Sequence, residues 1–290
     1  MSLLGSHVSL DKTLHKSLVY SLSQGVTNPQ FFFGNPYQLK RRNFADADII
    51  QCCGLQCNCF VHCPYVVNLA GVASTNSIAW NGENDIDLKV CESICSVQAD
   101  LSSLDKLPFT KKGCVVHVGS IGKNKDWETG CKAVATSINH LEFSSTPLLI
   151  ETMVGRGGVL GKNFTELALM YDKIQEKDKV GFCLDTCHIF AEGLFDLGTI
   201  AGIDACFSEW DKTIGLNKLK CVHLNDSLME YGSKKDRHQR IGLGYIWKDR
   251  EDALNYFLQR CNALDLPFIL ETCEEDVPVL RETVEKLKQF

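Results

Sequence analysis

The sequence predicts a (β/α)8 TIM barrel, an α/β fold in which eight parallel strands each lead into a helix. Three observations carry that expectation. Eight short apolar runs of strand length recur along the chain, most of them β-branched or aromatic. The stretches between them are long enough for a helix. Nearly every run ends in a residue able to bind a metal, as expected of a fold that gathers its C-terminal strand tips at one mouth.

The elements follow in order. Leu3-Leu4-Gly5-Ser6-His7 supplies the first strand, with His7 at its tip. Phe31-Phe32-Phe33-Gly34-Asn35 reads as the second, ending in a weak ligand, Asn35. Cys59-Phe60-Val61-His62 is the third. The connection from Ala73 to Lys112 holds the turn-prone Asn81-Gly82-Glu83-Asn84-Asp85, which predicts a loop and then a helix from about Ile86 to Leu101. Cys114-Val115-Val116-His117 and Leu148-Leu149-Ile150-Glu151 give strands four and five. Gly181 to Asp185, Lys220 to His223 and Phe268 to Glu271 give the last three. An amphipathic segment near Val277 to Leu287 predicts the closing helix.

Bulk properties fit this architecture. A chain of 290 residues has the usual size of one barrel, so residues 1–290 are expected to form a single domain. No apolar stretch reaches the roughly 18 residues a membrane span needs. No charged segment followed by an apolar one opens the chain, so no secretion signal is expected. Fifteen cysteines invite a disulfide framework, but most lie inside apolar runs. They read as reduced thiols of an intracellular compartment, cytoplasm or nucleus. The dense cluster Cys52-Cys53-x-x-x-Cys57-x-Cys59 reads as packing.

The tips carry the chemistry. His62, His117, Glu151, Asp185, His223 and Glu271 end strands. Asp185-x-x-His188 places a further ligand one turn on, and Asp236-x-His238 points two side chains the same way in extended chain. These are nine candidates, too many for one ion and suited to three if a carboxylate such as Glu151 is shared. Imidazole and carboxylate without an obligatory thiolate suit zinc, or manganese, in a catalytic site. Clustered ions of this kind are apparatus for phosphoester hydrolysis. His7, outside that set, is assigned to hold a ligand in place.

The formal charge of −6 argues against a nucleic-acid partner, but three divalent ions would bring it to zero. Basic residues also gather after strand ends: Lys40-Arg41-Arg42, Arg156, and Lys234, Lys235, Arg237 and Arg240.

Several segments together resemble the endonuclease IV family of abasic-site endonucleases. They are Gly5-Ser6-His7-Val8-Ser9, His62-x-x-Tyr65-x-x-Asn68-Leu69, Glu151-x-x-x-Gly155-x-Gly157, Gly181 to Ala191, Val222 to Ser227, Asp236-Arg237-His238 and Gly242-x-Gly244. The resemblance implies three zinc ions, with manganese admissible at one. It assigns His62, His117 and Glu151 to one ion, Glu151, Asp185, His223 and Glu271 to a second, and His188, Asp236 and His238 to a third. It also implies hydrolysis of the bond 5′ to an abasic nucleotide in damaged duplex DNA, by a monomer. Glu151 and Glu271 would serve the attacking water. Tyr65, Asn68, Arg156, Lys234, Lys235, Arg237, Arg240, Lys40 and Arg41 would hold the DNA. The chain departs from the family pattern at Thr152, Arg156 and Leu228, none of them a candidate ligand. The alternative readings are a metal-dependent sugar isomerase or epimerase on the same barrel, and a DNA-binding protein without catalysis.

Overall fold

The computed structural model describes residues 3–11, 13–71, 88–122, 126–272, 277–278 and 281. Eight parallel strands close into a barrel in the order β1-β10-β7-β6-β5-β4-β3-β2. They are β1 (Leu4–His7), β2 (Asn28–Phe31), β3 (Cys59–His62), β4 (Lys112–Val116), β5 (Leu148–Glu151), β6 (Val180–Asp185), β7 (Leu219–His223) and β10 (Phe268–Leu270). The ring closes where β1 pairs with both β2 (Gly5↔Asn28) and β10 (Leu4↔Phe268). Two short strands, β8 (Asp226–Ser227) and β9 (His238–Gln239), form an antiparallel pair beyond β7.

Helices α1 (Leu14–Ser23), α2 (Asp46–Gln51), α3 (Leu88–Asp105), α4 (Trp127–Ile138), α5 (Phe164–Lys173), α6 (Thr186–Glu192), α7 (Ile200–Thr213) and α8 (Glu251–Ala263) connect the strands. Sequence marks several of their starts. Thr13, Asp126, Asn163, Asp185 and Thr199 each cap a helix with a side-chain oxygen. Gly193, at φ +75°, ends α6 in the left-handed conformation that glycine tolerates best. The main core lies between the sheet and the helices, and includes Phe31, Phe182, Phe207, Trp210 and Phe257, all buried. No helix among the described residues is long and apolar enough to cross a membrane.

The second strand differs from expectation. It runs over Asn28–Phe31, not over Phe31–Asn35. The apolar run misleads because its aromatic rings continue past the strand. Phe31 and Phe33 pack into the core, while Phe32 packs against His7 and His62 at ring distances of 4.7 and 5.2 Å. Asn35 is no strand tip; its side chain accepts from the Tyr37 amide in a turn. Helix α3 runs four residues beyond the expected Leu101, to Asp105. The expected loop at Asn81–Asp85, and nearly all of the expected helix near Val277 to Leu287, lie outside the described residues.

The cysteines read as packing groups. Cys52, Cys57 and Cys59 are buried, and every cysteine among the described residues is a free thiol. Burial pushes the Cys52 and Cys57 thiols up, to about 11 and about 12. They therefore stay protonated and unreactive near neutral pH.

Candidate metal centre

The pleat of the barrel builds the site. Phe60, Val115, Leu149, Cys183, Cys221 and Ile269 fill the interior as one apolar cluster. Side chains two positions apart on a strand share a face. Two residues beyond each of these fillers lie His62, His117, Glu151, Asp185, His223 and Glu271. Each therefore continues the inward-facing row of its strand to the mouth.

Their ligand-capable atoms converge, together with those of three further residues. One group is His62, His117 and Glu151; a second is Glu151, Asp185, His223 and Glu271; a third is His188, Asp236 and His238. Within each group the atoms lie within 4.8 Å of one another. Glu151 belongs to two groups. Its Oε2 stands 3.1 Å from His62 Nε2 and 3.0 Å from His117 Nε2, and its Oε1 stands 3.1 Å from His223 Nδ1.

The local chain aims each ligand. Asp185 ends β6 and caps α6, its Oδ1 accepting from the His188 amide at 2.7 Å, which fixes His188 one turn on. His188 Nδ1 donates to the Thr152 carbonyl at 2.7 Å, so Nε2 faces Asp236 Oδ2 at 3.2 Å. His62 Nδ1 donates to the Cys63 carbonyl at 2.6 Å, likewise freeing Nε2. The Ser227↔His238 pairing of β8 with β9 sets His238 3.1 Å from Asp236 Oδ1. Asn225 Nδ2 donates to Asp185 Oδ2 at 2.7 Å and to Glu271 Oε2 at 3.0 Å.

Four buried atoms here, though close to complementary groups, make no hydrogen bond of acceptable geometry: Glu151 Oε1, His188 Nε2, His223 Nδ1 and His238 Nε2. All four are ligand-capable atoms of the converging groups. Leaving such atoms unsatisfied is costly, and coordination to cations would satisfy them together. The donors are imidazole nitrogen and carboxylate oxygen, the set that suits zinc or manganese. The residues thus fit the three ions that the sequence implies. Asp185, Cys187 and His238 also come together. However, the Cys187 thiol donates to the Arg237 carbonyl at 3.7 Å, and burial holds its pKa up, so it keeps its proton.

The electrostatics are those of a dense cluster of opposite charges. Burial alone would raise Glu271, yet His223 beside it helps hold its carboxyl down to about 2. Burial opposes charge on His223, but Glu271 and Glu151 outweigh it and hold that imidazolium up to about 10. Glu151 is likewise held low, against its burial, by His223 and His117. Asp185 is raised, because burial dominates there. His7 is pushed down to about 4, chiefly by burial, and is neutral.

The rim resolves into two kinds of residue. Tyr37, Tyr65, His117, His188, Asp236, Arg237, His238 and Glu271 line an open cleft of about 490 Å³. Tyr65 packs edge-on against His62 at 5.2 Å and beside Tyr37 at 5.8 Å. Lys40, Arg156, Lys235 and Arg237 are exposed, and Arg240 is half-buried. Arg41, Asn68 and Lys234 are engaged inside the protein. Arg41 pairs with the buried Asp100 of α3. Lys234 pairs with Glu192 at 2.6 Å, and Glu192 also accepts from the Gly155 amide at 3.3 Å, so it ties two mouth loops together. Asn68 bonds the Ser120 carbonyl and accepts from the Ser120 and Ala70 amides. These three brace loops.

Sequence reasoning missed Gln30, Asn225 and Thr152, whose amide and hydroxyl groups hold ligands. Gln30 had a signal: counted in steps of two from Asn28, it is the inward tip of β2.

Known proteins resemble this chain in sequence and fold. A family model described as a xylose isomerase-like TIM barrel matches residues 109–290. A probable endonuclease 4 of Methanosphaera stadtmanae is 34% identical, the match covering 99% of each chain. One from Staphylococcus aureus is 32% identical over 93% of this chain and 87% of its own. The crystal structure of endonuclease IV from Thermus thermophilus superposes with a TM-score of 0.78 at 26% identity, covering 99% of both chains. A D-tagatose 3-epimerase-like protein superposes at 0.70 with 18% identity, a likeness of fold alone.

Proposed function

Since the chain belongs to the endonuclease IV family of TIM-barrel proteins, we propose that it is a zinc-dependent DNA-repair nuclease. It hydrolyses the phosphodiester bond 5′ to an abasic nucleotide in duplex DNA, leaving a 3′-hydroxyl and a 5′-deoxyribose phosphate. One observation carries this reading: nine ligand-capable side chains converge in three adjoining groups, and four of their buried atoms make no hydrogen bond.

The three groups would hold three zinc ions. Such ions supply Lewis acidity, activating water and neutralising charge on the phosphodiester. The chain's own residues do the rest. Glu151, shared between the two inner groups, fixes their spacing. Glu271, held by Asn225, presents a carboxylate that orients the attacking water and receives its proton. His188, Asp236 and His238 lie on the open side of the cleft, where the departing 3′ oxygen would sit. An abasic nucleotide has no base to stack or pair, so turning it into the cleft costs little. Tyr65 and Arg156 would fill the gap it leaves. Lys40, Lys235, Arg237 and Arg240 meet phosphates, which position the duplex without reading sequence.

The sugar-isomerase reading is less well supported, because the outer group of His188, Asp236 and His238 is surplus to it. The test is incision of a duplex oligonucleotide carrying one tetrahydrofuran abasic analogue. The expected result is a single cut on its 5′ side, extendable by a polymerase. Cutting of unmodified duplex at the same rate, or a 3′-phosphate product, would refute the assignment.

A further inference from the structure

Gln30 belongs to none of the three ligand groups, yet it touches two members of the middle one at once. It is fully buried at the inward tip of β2. Its Oε1 accepts from His223 Nε2 at 2.9 Å. Its Nε2 donates to Glu271 Oε1 at 3.0 Å and faces His7 Nδ1 at 3.4 Å.

Chemistry fixes which way the amide points. An ionised carboxylate only accepts, so the amide nitrogen must face Glu271 and the oxygen must face His223. A carbonyl oxygen also only accepts, so His223 carries its proton on Nε2. With a cation in place of the ring's second proton, the Nδ1 lone pair faces Glu151 Oε1 at 3.1 Å and Glu271 Oε2 at 3.3 Å. His223 is unlike its neighbours in this. His62, His117, His188 and His238 all turn Nε2 toward a carboxylate of the centre. His62 and His188 are fixed by main-chain carbonyls, whereas His223 depends on a side chain, which a substitution can remove. The same amide sets the rotation of Glu271 from the side opposite Asn225.

We propose that Gln30 is the positioning residue of the middle group: it selects the His223 tautomer that presents Nδ1, orients Glu271, and so sets the affinity of that site for its ion. His7, its ring tilted against Phe32 at 4.7 Å, buttresses the amide from behind. The proposal rests on the metal-centre reading above.

The full-length chain tests it with zinc alone as the probe. Wild type, Gln30→Met and Gln30→Glu are titrated against a competing chromophoric chelator. Nitrogen-15 NMR of labelled histidines in the zinc-loaded proteins reads which ring nitrogen of His223 is bound. Gln30→Met should weaken one zinc by about tenfold to a hundredfold, leave the others in place, and lose the uniform Nδ1-bound signal. Gln30→Glu keeps an acceptor for His223 and should retain that signal, and it serves if the methionine variant fails to fold. A methionine variant that unfolds at lower temperature without metal, yet binds every zinc within threefold of wild type, would make Gln30 a packing residue and overturn the proposal. So would loss of the Nδ1 signal in Gln30→Glu. A wild-type chain that takes up no zinc would instead overturn the metal-centre reading, and this inference with it.

Discussion

Removing the metal should unfold this protein at a much lower temperature, in two separable steps. Glu151, Asp185, Asp236 and Glu271 put four carboxylates at one mouth, and Glu151 and Asp185 are fully buried. Without cations, the countercharges beside these carboxylates are imidazoles that must take up protons. With free zinc held a hundredfold above each dissociation constant, one ion stabilises the folded state by about 2.7 kcal/mol. Three sites then contribute about 8 kcal/mol. For a chain of this size, at about 2 °C per kcal/mol, the midpoint should fall by roughly 15 °C on chelation. The outer group is the weaker one, since its Asp236 side chain is 46% exposed while the inner carboxylates are covered. A chelator should therefore strip it first. In a variant with His188, Asp236 and His238 all changed to Ala, the chelation shift should shrink by about a third. The assay is thermal unfolding by circular dichroism across a series of zinc buffers. A shift of less than about 3 °C in wild type, or a variant whose shift equals wild type's, would refute the reasoning.

The other expectations concern catalysis, DNA and pH. Glu271→Gln should cost a factor on the order of 10² or more in incision rate while abasic duplex still binds, because the proton acceptor is lost; single-turnover kinetics beside a binding isotherm measure it. Neutralising Lys235, Arg237 and Arg240 should flatten the dependence of log affinity on log salt by about 0.9 unit per lost phosphate contact. Lys234→Gln, whose ammonium is committed to Glu192, should leave that slope unchanged. Metal-free protein should lose stability as pH rises from about 6.5 toward 10. The raised pKa of His223, about 10, makes its contribution fully present below its unfolded value of 6.5 and absent above the folded one. Denaturant midpoints across that range test this, and zinc should abolish the loss, since zinc needs the deprotonated ring.

Much of the centre was legible because strands have period two. His62, His117, Glu151, Asp185, His223 and Glu271 each end an apolar run, and parallel closure brings such tips together whatever their separation in sequence. The second strand was not legible in the same way. Pro29 lies inside it and three phenylalanines follow from position 31, so the apolar run is offset from the hydrogen-bonded one and Gln30 was passed over. The ion pairs at the rim were not legible for a different reason. A lysine or arginine after a strand looks like a phosphate contact until its partner is known. Asp100 stands far along the chain from Arg41, and Glu192 stands 42 residues from Lys234. No local pattern encodes either pairing. The family departure at Thr152 proves to be structural: its hydroxyl accepts from the Asp185 amide at 2.8 Å, and its carbonyl fixes His188.

The most direct test of the account is the number of zinc ions each chain holds. Elemental analysis of the full-length protein, purified after zinc supplementation and dialysed free of loose metal, should give about three per chain, from three groups, two of which share Glu151. The variant with alanine at 188, 236 and 238 should give about two. One ion or none in the wild-type chain, or an unchanged count in that variant, would contradict the three-ion centre.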